Sequence, residues 1–322
     1  EHQAFLAMSR VFFLFGFLLA SSLIFAQETA FRGKVIDVNS KEGVPYAHLI
    51  LPELKRGTSA DVHGDFRFEA GDVAQSMQVL VSSVGYETRT LTLGTMSETI
   101  ALQPSLNALR EVVIYDLQDR RSKRVNPFVG AKIVGLGNFS GGAYPSALAR
   151  YYARPKKFDQ GCFLKNLEID FYRVLGADNP AAKFRLRILE VAEDGLPGTD
   201  LLDDGLVLEK PENAARMKVN MLPYKLSVPS EGVYIVVEHL FIPENKFTEI
   251  VSVQNNEGNY INYEVERYAP IFKGIGIARN QSNPRCFYKS LTGWKPVTQL
   301  DTAGSALAGN APAPAFKVLF TD

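Results

Sequence analysis

The chain has 322 residues, 46% of them hydrophobic, and its 35 Lys+Arg balance its 35 Asp+Glu. That apolar content excludes a disordered chain, and the zero formal charge argues against a nucleic-acid binder, whose affinity rests on basic residues meeting phosphates. Two cysteines are too few for a disulfide-built scaffold, and the length fits about two domains.

Met8-Ser9-Arg10 precedes the apolar run Val11–Leu19, and Ala20-Ser21-Ser22 and Ala26 follow. A positive charge, a short apolar core and small residues form the pattern of a secretory signal peptide. The run is interrupted by Gly16, Ser21 and Ser22 and is shorter than the ~20 residues a spanning helix needs. Residues 1–26 are therefore expected to be a leader cleaved between Ala26 and Gln27, with residues 1–7 preceding the start at Met8. No cysteine follows that junction to carry a lipid anchor. The leader holds one Glu and one Arg, so the mature chain is also neutral. No later segment has the length and apolarity of a transmembrane helix.

From Phe31 the pattern alternates with period two, the signature of half-buried strands. Strands are expected around Phe31–Val38, Val44–Leu51, Met77–Glu87, Thr88–Leu93 and Thr99–Leu102, and Thr58–Phe68 is read as a tight turn entering a strand. Gly64 sits where a tight turn needs positive φ. Short strands spaced by turns over about 75 residues predict a small antiparallel β-sandwich over residues 27–104.

Four motifs in order carry a resemblance: Phe31-Arg32-Gly33-Lys34-Val35, Gly43-Val44-Pro45-Tyr46-Ala47, Asp61-x-x-Gly64-x-Phe66 and Val84-Gly85-Tyr86. Residues 31–103 resemble the carboxypeptidase regulatory-like domain, a transthyretin-like sandwich. The resemblance implies a regulatory appendage rather than a peptidase. None of His2, His48, His63 or His239 is followed three residues later by Glu, as a zinc peptidase site would need. His48 and His63 stand where the family often has other polar residues and receive no role. In Gram-negative bacteria this domain often precedes a TonB-dependent barrel, and Leu109-Arg110-Glu111-Val112-Val113-Ile114 resembles the joining segment. About 210 residues remain after it, too few for a 22-stranded barrel.

Residues 105–142 read as a linker. Gln118-Asp119-Arg120-Arg121-Ser122-Lys123-Arg124 is a charged run expected to be solvated, with an anion-binding strip as the alternative. Gly135-Leu136-Gly137 lacks the following helix that a dinucleotide loop requires. In residues 143–322 strands are expected at Cys162–Tyr172, Lys183–Val191, Leu206–Leu208, Met217–Met221, Gly232–His239, Cys286–Ser290 and Phe316–Phe320. Phe184, Leu186 and Ile188 are predicted to face a core opposite Arg185 and Arg187. Val233–Val237 is predicted to be buried on both faces. Ala303–Ala315 is read as a loop. The fold class is all-β: two tandem antiparallel β-sandwiches after a signal peptide, the second jelly-roll-like. This second region resembles, diffusely, the exported sandwich domains that often follow regulatory-like domains.

Cys162 and Cys286 fit either a disulfide or two buried thiols in an exported chain. Asp200, Asp203 and Asp204, with Glu193 and Asp194, are expected to form a solvated rim rather than a calcium loop. No Gly-x-Ser-x-Gly elbow occurs. Tyr260, Tyr263, Tyr268, Tyr288 and Trp294 gather in the C-terminal third. Trp294, Tyr288 and Tyr268 are the candidates for a ligand platform, against simple packing.

No catalytic, cofactor or metal residues are assigned. The expectation is a non-catalytic exported interaction protein of the periplasm, outer membrane or cell surface. Its regulatory-like domain would dock an envelope protein partner, without nucleic acid. A carbohydrate-binding module anchored at Trp294, with a glycan as ligand, and an unrecognised hydrolase in the second region are the alternatives.

Overall fold

The structure is a computed structural model that describes residues 30–69, 73–105, 116–138, 142–158, 161–174, 177, 179–202, 205–255, 257–280, 285–300 and 309–322. The expected leader at 1–26, its cleavage point and the joining segment Leu109–Ile114 lie outside the described residues. Among the described residues there is no α-helix, so none is long and apolar enough to cross a membrane.

The first sandwich comprises β1 (Ala30–Asp37), β2 (His48–Leu51), β3 (Arg56–Ser59), β4 (Asp65–Glu69), β5 (Gln78–Ser82), β6 (Arg89–Thr92) and β7 (Thr99–Leu102). One sheet has the order β4-β1-β7 and the other β3-β2-β5-β6. The pairing is antiparallel except between β1 and β7, which run parallel from Lys34↔Thr99 to Asp37↔Leu102. That ladder departs from the antiparallel expectation. A parallel pair needs a long crossover, here supplied by the chain from β2 to β6. The inner faces enclose Val35, Leu49, Phe66, Val81, Ile100 and Leu102.

The four family-like motifs sit where the chain must turn or pack. Asp61 Oδ1 accepts the backbone N–H groups of His63 and Asp65 at 2.8 and 2.9 Å, closing an Asx turn. Gly64 follows at φ 81°, where a Cβ would lie 2.4 Å from the Val35 carbonyl oxygen. Phe66 can then enter the core. The Tyr86 hydroxyl donates to Asp37 at 3.1 Å, tying the loop after β5 to the end of β1.

The second sandwich begins inside the region read as linker. Its strands are β8 (Ser122–Val125), β9 (Lys132–Leu136), β10 (Ala147–Tyr152), β11 (Phe163–Asp170), β12 (Ala182–Val191), β13 (Pro197–Asp200), β14 (Leu206–Lys210) and β15 (Arg216–Asn220). They continue as β16 (Val233–His239), β17 (Lys246–Gln254), β18 (Tyr260–Tyr268), β19 (Phe272–Ala278), β20 (Cys286–Ser290), β21 (Gly293–Pro296), β22 (Asn310–Pro314) and β23 (Lys317–Thr321). A seven-stranded sheet runs β13-β12-β16-β10-β20-β21, with β14 also on β12. Facing it are the sheets β15-β11-β23-β8 and β22-β19-β9.

The charged run thus supplies an edge strand, β8, paired with β23. Its side chains stay mostly exposed, as expected of a solvated segment, because an edge strand needs only backbone pairing on one side. Residues 310–314, read as loop, form β22 against β19, and Ala311 and Ala313 are fully buried there. Residues 301–308 of that stretch lie outside the described residues.

One core fills the space between these sheets. Phe184, Leu186 and Ile188 of β12 point into it, while Arg185 and Arg187 point outward, as the alternation predicted. Val233, Ile235 and Val237 of β16 enter the same core, while Tyr234 and Val236 pack in a separate apolar cluster. The strand is buried on both faces. His239 ends it fully buried, with its ring edge-on to Phe272 at 5.2 Å.

Candidate functional site at the domain junction

The outer face of the seven-stranded sheet carries charge where most of the strand is apolar. Glu238 is the lone carboxylate of β16 and is 5% exposed. Taking it out of water is costly unless it is paired. His48 of β2 places Nε2 at 2.9 Å from Glu238 Oε1, and its Nδ1 lies 2.9 Å from Ser59 Oγ. Arg185 donates to Glu238 Oε1, and Arg187 Nη1 donates to Oε2 at 3.3 Å. Arg187 also grips Asp200 through Nε and Nη2 at 3.1 and 2.6 Å. Burial alone would raise the Glu238 carboxyl. The Arg185 guanidinium, with His48 and Arg187, outweighs it and holds the carboxyl well below the usual carboxylate range.

Backbone bonds reinforce this junction. Gly57 N–H donates to the Ala143 carbonyl at 2.8 Å, and Ala143 N–H donates to Lys55 at 2.8 Å. Ser59 N–H donates to the Phe241 carbonyl at 3.0 Å, and Phe241 N–H returns a bond to Ser59 Oγ at 2.9 Å. Arg185 Nη2 reaches the carbonyls of Pro45 and Tyr46 at 3.3 Å. Tyr46 packs on Leu240 and Ile242. The exposed edge of the first sandwich is thereby closed by the second, which removes unpaired strand groups from water.

Beside the splice lies a cleft of about 920 Å³ between the sandwiches. Arg56 of β3 and Arg67 of β4 line one side. The roots of β17 and β18 line the other, where Lys246 pairs with Glu266 and Arg267 with Glu249, each at 3.0 Å. Tyr268 stacks on Phe241 with centroids 3.8 Å apart and planes 9° from parallel. Tyr172 lies against Gly135, where any Cβ would approach its ring to 2.9 Å.

The hairpin β17–β18 rises from the cleft and pairs with no other strand among those described. Its nine-pair ladder runs from Lys246↔Tyr268 to Gln254↔Tyr260. Phe247 anchors the root against Ala182 and Ala269. Farther out, Ile250, Val253, Tyr260, Ile261 and Tyr263 are all exposed. Val251, Val253, Ile261, Tyr263 and Val265 share one face by the period-two register. Exposed apolar residues gathered on one element mark an interaction surface.

The predicted platform is not brought together. Tyr288 is 9% exposed and belongs to the inner core. Trp294 packs on the opposite face of the same sheet beside Phe287 and Tyr234, with Lys289 Nζ 5.1 Å from its ring. Tyr268 lies in the cleft, stacked on Phe241. Successive side chains of β20 alternate between faces, so proximity in sequence did not give a shared surface.

Cys162 and Cys286 are both buried thiols, not a disulfide. Both sit in the inner apolar core, and burial pushes them up to about 12 and about 11 respectively. Of the acidic rim, Asp200 is bound to Arg187, and Asp203 and Asp204 lie outside the described residues.

His48, Glu238, Arg56, Arg67 and the charged roots of the hairpin were missed as site residues. One signal was available: a Glu inside the apolar run Val233-Tyr234-Ile235-Val236-Val237 needs a buried partner. Nothing local named that partner.

Residues 31–114 match the family model described as the CarboxypepD_reg-like domain, as the four motifs implied. Domains of this type are regulatory, non-catalytic β-sandwiches. No curated protein and no solved structure matches the chain.

Proposed function

We propose that this is a non-catalytic exported protein of the cell envelope that docks a protein partner through the β17–β18 arm. The observation that carries the reading is the arm itself. An isolated two-stranded hairpin is marginal in water, and a face of Val251, Val253, Ile261, Tyr263 and Val265 adds nothing to its own chain's core. Covering that face with a partner buries it and orders the arm. The junction holds the arm's root rigid, because Tyr268 stacks on Phe241 and Phe241 is bonded to Ser59 of the first sandwich. The regulatory-like domain then serves as a brace for the docking element. The leader-like N-terminus supports export.

A photo-crosslinking residue placed at Tyr263 in the full chain, expressed in its own envelope, tests this. A discrete higher-mass adduct is expected from Tyr263 and none from the exposed turn position Lys41. Equal labelling at both positions, or none at either, overturns the reading.

A further inference from the structure

We propose that the free edge of β17 pairs antiparallel with the same strand of a second copy of the chain, joining two arms into one continuous sheet. The arm's own ladder sets which backbone groups are available. Ala269 N–H donates to the Asn245 carbonyl at 2.7 Å at the root, and Asn255 N–H to the Asn259 carbonyl at 2.8 Å at the tip. Hydrogen-bonded and non-hydrogen-bonded pairs alternate in an antiparallel ladder. Stepping in from either end makes Phe247↔Arg267, Glu249↔Val265, Val251↔Tyr263 and Val253↔Ile261 the bonded pairs. Thr248, Ile250, Ser252 and Gln254 therefore turn their backbone N–H and C=O groups away from β18, and these residues are exposed.

Unpaired strand edges invite strand addition, and folded chains guard them with charge, proline or a cover. Elsewhere in this molecule such guards are present. β8 carries Lys123 and Arg124, β15 carries Arg216 and Lys218, and β22 carries Pro312 and Pro314. β3 is closed by its bonds to Ala143 and Phe241, and Arg89 caps β7 at the Ala101 carbonyl, 2.9 Å away. On the arm, β18 carries Glu264, Glu266 and Arg267. The outer half of β17, Ile250-Val251-Ser252-Val253-Gln254, has no charge, proline or glycine, and its ladder runs without a bulge.

Charge also selects the occupant. A two-fold axis through Val251 sets Ile250 opposite Ser252 of the second copy and Thr248 opposite Gln254 of the second copy, and opposes no like charges. The same operation on β18 about its middle residue, Glu264, sets that carboxylate against itself. The outer half of β17 has no charge with which to select a foreign strand, whereas self-pairing needs only the match of β17 to its own reverse. Val251 then lies beside its counterpart as a β-branched cross-strand pair. The wider sheet relieves the marginal stability of a lone hairpin and makes the apolar faces of the two arms continuous.

This backbone edge is distinct from the side-chain face on which the proposed function rests, and the test separates them. Sedimentation of the full chain over about 1–100 µM is expected to show reversible dimerisation, as fits a small interface. Ser252→Pro removes an outward N–H and leaves the hairpin's own ladder intact, and it is expected to weaken the dimer at least about tenfold. Ser252→Lys installs the missing guard and is expected to weaken it likewise. Asn262→Pro makes the matching change on the β18 edge and is expected to leave the dimer unchanged. Far-UV spectra and thermal melts matching wild type show that each variant is folded. A monomer at every concentration, a dimer indifferent to both Ser252 variants, or one equally weakened by Asn262→Pro overturns the proposal. A monomeric chain whose Tyr263 adduct is lost with Ser252→Lys assigns the edge to a foreign strand and overturns it too. A monomer whose adduct survives Ser252→Lys keeps the partner reading and rejects this one, and a dimer with no foreign adduct does the reverse.

Discussion

His48 Nε2 and Glu238 Oε1 lie 2.9 Å apart, although 190 positions separate them in the chain. The contact joins a strand of the first sandwich to the outer face of the second, and Arg185 and Arg187 complete it. Glu238→Gln keeps the shape but removes the carboxylate that compensates Arg185, while Arg187 retains Asp200. Breaking one partner of such a buried cluster costs about 3–5 kcal/mol. Urea unfolding of the variant is expected to show that loss, with the two sandwiches melting in separate steps. An unchanged single transition counts against the cluster as the clamp of the junction.

Acid sensitivity has two sources with distinct windows. Burial holds His239 at about 4 against its ordinary 6.5, outweighing the opposing pull of the Pro270 and Ser146 backbone groups and of Glu238. A depressed histidine favours the fold fully above 6.5, and the contribution is lost as pH falls from 6.5 towards about 4. The full effect is on the order of 3 kcal/mol, from ~1.4 kcal/mol per pH unit. Glu238 acts lower: its stabilisation is complete above 4.5 and disappears as pH falls through its lowered value. His239→Leu is therefore expected to flatten stability between pH 6.5 and 4 while leaving the steeper fall below it. Denaturation midpoints across that range check this.

Both thiols should be silent in the native protein. Their raised values leave almost no thiolate at pH 8, and burial blocks access. A chromogenic disulfide reagent is expected to label neither cysteine natively and both in denaturant. Recovery of a Cys162–Cys286 bridge under non-reducing conditions would contradict the thiol state.

The arm divides into a root and a tip with opposite sensitivities. Phe247 is 9% exposed at the root, so Phe247→Ala is expected to cost about 3 kcal/mol. Ile261→Ser and Tyr263→Ser remove exposed side chains and should change stability by less than ~0.5 kcal/mol. Ile261→Ser is also expected to abolish the adduct formed by the crosslinking residue at position 263. Paired melting and crosslinking measurements distinguish the two parts.

At Gly142 a Cβ would come 2.4 Å from the Lys55 carbonyl oxygen, beside the Gly57–Ala143–Lys55 backbone splice. Gly142→Ala is expected to destabilise the junction by about 1–3 kcal/mol. Calorimetric melting should show that loss, with the first sandwich released at lower temperature.

Much of the scaffold was legible in local pattern. The alternation of Phe184, Leu186 and Ile188 against Arg185 and Arg187 reports a strand with one buried face, and that is how β12 sits. The run Val233–Val237 reports burial on both faces, and the Asp61–Gly64 turn reports itself through an Asx side chain and a glycine. The edge strands β8 and β22 were not legible, because backbone pairing is indifferent to the charged side chains of one and the small residues of the other.

By itself the sequence determined a balanced, β-rich chain with a regulatory-like first domain and the inward faces of its principal strands. Each of these is written within a few neighbouring residues, through steric preference and the period-two pleat. Only the tertiary structure decided which charges meet. The 35 acidic and 35 basic residues give no sign that Glu238 needs His48 and Arg185. Such pairings depend on how two separately folded cores dock, and docking is set by surface shape and desolvation over distances that no local pattern spans.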